Sequence, residues 1–146
     1  MKRRMIGMAF KAGGLFVNLP VKDLDRSIEF FKKIGFEFDS RFTDENATCM
    51  IIGENIYAML LVEKFFQSFT KKEIADPKRT TEVILALTAG SREEVDEIVK
   101  KALDAGGQFS NDPQDHGFMY SSSFQDVDGH LWEVFYMENP EQEPQG

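Results

Sequence analysis

Leu15 to Leu19 form a short apolar run with strand character, and the segment after it, VKDLDRSIEFFKKIGFEF, changes to the period of a helix. Leu24, Ile28 and Phe31 fall at i, i+4 and i+7, and Gly35 stands where a left-handed cap would end the helix. Strands are predicted next over Phe36 to Phe42, Thr48 to Ile52 and Asn55 to Glu63, parted by the turn-prone TDEN and GEN. A polar connector, EKFFQSFTKKEIADPKRT, then leads to a second apolar strand from Thr81 to Thr88. In SREEVDEIVKKALDAGG, Ser91 and Glu94 have the spacing of a capping box. Val95, Ile98, Val99, Ala102 and Leu103 supply the buried stripe of this helix, and Gly106 ends it. Strand patterns return at Gln108 to Ser110, Phe118 to Phe124 and His130 to Met137, the last two joined by QDVDG. The chain therefore reads β-α-β-β-β twice.

A curved sheet with one helix on its convex side leaves a concave face open, so two such units can close around a shared cavity. Alternation assigns the faces, because residues two apart on a strand share one. Phe16 goes with Asn18; Tyr57 with Met59, Leu61 and Glu63; Glu82 with Ile84 and Ala86; and Glu133 with Leu131 and Phe135. The opposite faces, such as Leu15/Val17/Leu19 and Trp132/Val134/Tyr136, suit packing under helices. Glu82 and Glu133 are then expected to look into the concave cavity, along with the aromatic rings of Phe16, Tyr57 and Phe135.

Length and charge narrow the function. The 146 residues fit one α+β domain, with modules over residues 14–63 and 81–137 and a frayed tail at 138–146. Lys and Arg number 17 against 25 Asp and Glu, a net charge of −8, and no basic stripe offers phosphates a track. Nucleic acid is excluded as a partner on that ground. Cys49 is the only cysteine, which rules out an intramolecular disulfide and a thiolate zinc cluster. The opening MKRRMIGMAFKAGG has a basic start, but its apolar run stops at Lys11, and no later run has transmembrane length. A soluble, cytoplasmic protein that uses no membrane is expected.

FVNLPVKDLDRSIEFFKKIGFEF near the start and FQDVDGHLWEVFY near the end carry a V-x-D-L-x-R-S signature after a strand and a D-x-D-G turn ahead of Glu133. In these segments and in its order of elements, the chain resembles the glyoxalase/bleomycin-resistance/dioxygenase group, the vicinal oxygen chelate superfamily, from about Gly14 to Met137. The resemblance implies paired βαβββ modules forming a curved mixed sheet around a cavity, commonly as a homodimer. In metal-dependent members, ligands come from the first and last strands of each module. Those positions fall here on Phe16, near Met59, on Glu82 and on Glu133, so two of the four offer no donor to a hard cation.

Glu133 is a candidate ligand or general base, since a carboxylate on an apolar wall is suited to proton abstraction; an edge position paired with Lys or Arg is the structural alternative. Glu82 has the same two readings, with Lys78 and Arg79 nearby as partners. His116, in a loop entering a strand, is a candidate acid, base or third ligand, or else solvated. His130 follows the turn glycine and is expected to point away from Glu133 as a turn or surface residue. Tyr120 is a substrate-binding candidate or, with Phe118 and Phe124, a core residue. Asn18 needs a hydrogen-bonding partner if buried. Phe65, Phe66 and Phe69 suggest a lid or, by preference, a dimer patch. DVDG lacks the further oxygen ligands of a calcium loop and is read as a turn.

Three functions follow. One is a lactoylglutathione-lyase-like lyase or isomerase, in which a divalent ion (Zn, Ni, Mn or Mg) would chelate a small substrate while Glu133 or Glu82 moves a proton. The second is sequestration of an apolar or aromatic small molecule without a metal, as in bleomycin resistance. The third, an extradiol-type dioxygenase, needs two histidines and a carboxylate on one face, and it is the weakest fit to a chain with two histidines in all.

Overall fold

A computed structural model describes residues 9–138. The signal-like start up to Met8 and the tail from Asn139 onward lie outside the described residues. In the first module, strand β1 (Leu15–Val21) leads into helix α1 (Leu24–Ile34), followed by β2 (Glu37–Asp39), β3 (Ala47–Gly53) and β4 (Ile56–Val62). The four strands form one mixed sheet in the order β1-β4-β3-β2, with β1 parallel to β4 and the other pairs antiparallel. A short helix, α2 (Glu63–Gln67), opens the connector. The second module comprises β5 (Ile84–Thr88), α3 (Arg92–Asp104), β6 (Gln108–Phe109), β7 (Gln114–Asp115), β8 (Met119–Gln125) and β9 (Leu131–Met137). Its order, β5-β9-β8-β6 with β5 parallel to β9, repeats the first, and β7 adds a short pair on β8. The α+β duplication read from the pattern is the architecture of the chain.

Local chemistry sets the element ends. The Asp23 side chain accepts the Arg26 N–H at the start of α1, and Gly35, at φ 125°, returns its N–H to the carbonyls of Phe31 and Lys32. At α3 the Ser91 hydroxyl accepts the Glu94 N–H, and the Glu94 carboxylate takes the N–H of Gly90, one residue outside the cap. The predicted strand Phe36 to Phe42 stops at Asp39, because that carboxylate accepts both the backbone N–H and the guanidinium of Arg41 and curls residues 40–42 into a 3₁₀ turn. The strand predicted from Thr81 begins only at Ile84, since Thr81 donates its hydroxyl to the Val83 carbonyl and residues 81–83 follow the connector instead. Glu138, assigned to a frayed tail, donates its N–H to the Phe118 carbonyl.

The core lies between the sheets and the helices, and it joins the modules within one chain. Phe30 and Phe31 of α1 reach Phe124 and Trp132, with ring centroids 6.2 Å (Phe30–Phe124) and 5.3 Å (Phe31–Trp132) apart. Polar bonds finish the seam: Asp128 accepts the Lys22 N–H and the Ser27 hydroxyl, and the His130 ring donates to the Pro20 carbonyl. Phe30, Phe31, Phe124 and Trp132 are all buried, so the two modules share one continuous apolar interior.

Candidate functional site

The strand faces fall as alternation predicts. Pairing β1 parallel to β4 sets Phe16 beside Tyr57 and Asn18 beside Met59 on the outer face of the first sheet. The Phe16 and Tyr57 rings stack at 4.6 Å and 19°, yet Phe16 remains 57% exposed. On the second sheet Glu133 lies between Ala86 of β5 and Ser123 of β8, and Phe135 lies opposite Ser121. Glu133 is half-buried and makes no ion pair among the described residues. These residues lie on one face of each sheet.

A cavity of about 270 Å³ opens between the C-terminal part of β1, the connector and the turn before β9. Asn18 and Pro20 form one side, Phe66, Ile74 and Val83 supply an apolar cover, and Lys72, Glu82 and His130 bring polar groups to its lining. Of the sequence candidates, Asn18 and Glu82 meet here, whereas Phe16, Met59, Glu133 and Phe135 are not part of this lining. Asn18 is exposed on the cavity wall, so it has no interior bonding demand to satisfy. Glu82 pairs with neither Lys78 nor Arg79; it precedes β5 on the segment that rims the cavity.

Two candidates are carried elsewhere. Tyr120 faces α3, and its hydroxyl donates to Asp96 at 2.6 Å, a bond to a carboxylate that pushes the phenol above its ordinary range. Phe118 lies before β8 and is exposed, so it does not share the core face with Tyr120 and Phe124. His116 is exposed, with its backbone N–H on the Met119 carbonyl. Its neighbour Asp115 accepts the Gly117 N–H and the Arg92 guanidinium, which together hold that carboxyl below the usual carboxylate range and fasten the loop to α3.

His130, read as a turn or surface residue, is a turn residue that also lines the cavity. Alternation on β9 takes it away from Glu133, but the strand starts at Leu131 and His130 belongs to the turn, where the rule does not apply. Its backbone N–H donates to Asp126 and its ring Nε2 lies 2.8 Å from the Pro20 oxygen, which holds it at the cavity wall. The apolar residues Phe66, Ile74 and Val83 in and after the connector were the available signal for a covered cavity.

The donor set does not suit a bound metal. Phe16 and Met59 stand where two family ligands would be, and among the described residues no group of three or more His, Cys, Asp or Glu is gathered to hold an ion. What the arrangement can do is enclose a small molecule against apolar walls and fix it through a few polar groups.

Among solved structures, the chain is similar to a hypothetical protein from S. aureus at 26% identity, with a TM-score of 0.74 over 90% of this chain and 98% of that one. A glyoxalase/bleomycin resistance protein/dioxygenase family enzyme from Burkholderia phytofirmans PsJN matches at 16% identity and TM-score 0.70, covering 84% of this chain and 96% of that one. A lactoylglutathione lyase from Agrobacterium tumefaciens matches at 16% and 0.65, covering 86% and 94%. These last two likenesses concern the fold. No curated protein matches the chain. No helix among the described residues is long and apolar enough to cross a membrane. The family profile extends over residues 15–134, from the first strand into β9, so it takes in nearly all of both modules and the chain belongs to the Glyoxalase/Bleomycin resistance protein/Dioxygenase superfamily.

Proposed function

We propose that this protein binds and sequesters a small, mainly apolar molecule in the cavity beneath the connector. The observation that carries the reading is the composition of that cavity: Phe66, Ile74 and Val83 with a few polar groups, in about 270 Å³. An apolar cavity of about 150 Å³ can accept benzene, so a substituted ring or a small bicyclic molecule is the right scale. The working form is a cytoplasmic homodimer; exposed Phe16, Phe69 and Ile84 give it apolar surface to bury.

A second reading, a lyase or isomerase of small substrates, is favoured by Glu133, a half-buried carboxylate without an ion partner among the described residues on the outer face of the second sheet. Its part would be to take a proton from a substrate carbon and return it elsewhere on the same molecule.

Two measurements separate the readings. Saturation-transfer NMR with small aromatic fragments is expected to detect binding to the wild type and a loss of roughly tenfold or more in Ile74→Trp, which fills the cavity. After incubation with Zn, Ni or Mn and dialysis, elemental analysis is expected to find far less than one metal per chain. Equal binding in the filled variant would remove the cavity reading. About one metal per chain, lost in Glu133→Ala, would replace it with the enzymatic one.

A further inference from the structure

His130 is held at two points. Its backbone N–H donates to the buried carboxylate of Asp126 at 3.0 Å, and its ring Nε2 is 2.8 Å from the carbonyl oxygen of Pro20. A carbonyl can only accept, so Nε2 carries the hydrogen and, in the neutral ring, Nδ1 carries the lone pair. None of the hydrogen bonds among the described residues uses Nδ1, and no side-chain polar atom among those residues is both buried and without a partner. Nδ1 is therefore an open acceptor on a residue that forms part of the cavity wall. Because the ring is already oriented by the protein, a ligand reaching it pays little to order it.

Resting on the cavity reading above, we propose that His130 is its specificity-determining residue and selects a neutral ligand that donates a hydrogen bond from an apolar frame, an aromatic hydroxyl. The hydroxyl would meet Nδ1 while the ring lies against Phe66, Ile74 and Val83. The charged groups of the lining disfavour an anion: Lys72 is opposed by Glu73 and Glu82, so the cavity offers negative charge no net attraction, and a neutral hydroxyl meets the acceptor without that cost.

The test compares 2-naphthol with 2-methoxynaphthalene, which keeps the ring system and loses the donor. The probes are titrated into wild-type protein and His130→Lys, whose ammonium can keep the bond to Pro20 while offering no acceptor in place of Nδ1. In wild type the naphthol is expected to bind roughly three- to tenfold more tightly than its ether, the range of one net hydrogen bond, and to shift the His130 Nδ1 resonance in ¹⁵N spectra. In His130→Lys the two probes are expected to bind alike. Equal affinity in wild type, or a ¹⁵N spectrum showing the hydrogen on Nδ1 in the neutral ring, would overturn the role of His130 and leave the cavity standing. Binding of neither probe would overturn the cavity reading and this inference together.

Discussion

The carboxylate of Asp126 receives four N–H donors: those of Asp128, Gly129 and His130 on one oxygen, and the Trp132 indole on the other. Buried as it is, the carboxyl is held above its ordinary value of 3.8, chiefly by desolvation, with the donors and nearby His130 acting against that shift. The folded chain then holds this proton more tightly than the unfolded chain. That contribution to stability is complete below 3.8 and is lost as the pH rises through the folded value. Asp126→Asn is expected to turn an amide N–H₂ toward the indole N–H, leave a buried donor unpaired and cost about 1–3 kcal/mol in chemical denaturation. The ¹³C titration of the wild-type carboxyl should have its midpoint above 3.8; a midpoint at or below that value, or a variant as stable as the parent, would contradict this account. The place of Asn18 in the cavity lining was legible because alternation puts it on the open side of β1; Glu82 reaches the same lining from ahead of β5, outside the strand, where alternation does not apply. The placements of His130 and Tyr120 were not legible, because their side-chain partners, Pro20 and Asp96, are far away along the chain.

At the scale of elements, the connector over residues 63–83 is held in place from several sides. Lys22 reaches Glu63 at 3.0 Å, Gln67 donates to the carbonyls of Thr70 and Lys72, and Lys78 sits directly against the turn glycine. Gly129 has φ 101°, and a Cβ there would come within 2.9 Å of the Lys78 side chain and 3.1 Å of its backbone. Gly129→Ala combines backbone strain with that collision, so it is expected to cost about 1–3 kcal/mol and to weaken fragment binding by displacing the cavity cover. Gly13→Ala, with nothing near its added methyl, is the control, and equal stability of the two variants would remove the proposed role of this contact. The strands and both long helices were readable because their periodicity is local. The connector was not: its Phe66, Ile74 and Val83 acquire a cavity to cover only once β1 and the 126–130 turn have come together.

For the whole molecule, the order of the two modules could be read from the repeated pattern, but not how they join, because side-chain alternation says nothing of what covers a helix. The answer lies in Phe31, whose ring meets Phe30, Phe36 and Trp132 and is almost wholly buried. Since this interior is shared, we expect the modules to unfold together. Phe31→Ala should cost about 3–5 kcal/mol, and calorimetry of the wild type should show one transition; two separable transitions would mean that each module stands alone. The same seam has an optical consequence. Trp132 is the chain's only tryptophan, fully buried between the modules with its indole held by Asp126. Its fluorescence is therefore a built-in gauge of their docking: parting the halves exposes the indole to water and moves its emission to the red, so the joint can be followed in unlabelled protein.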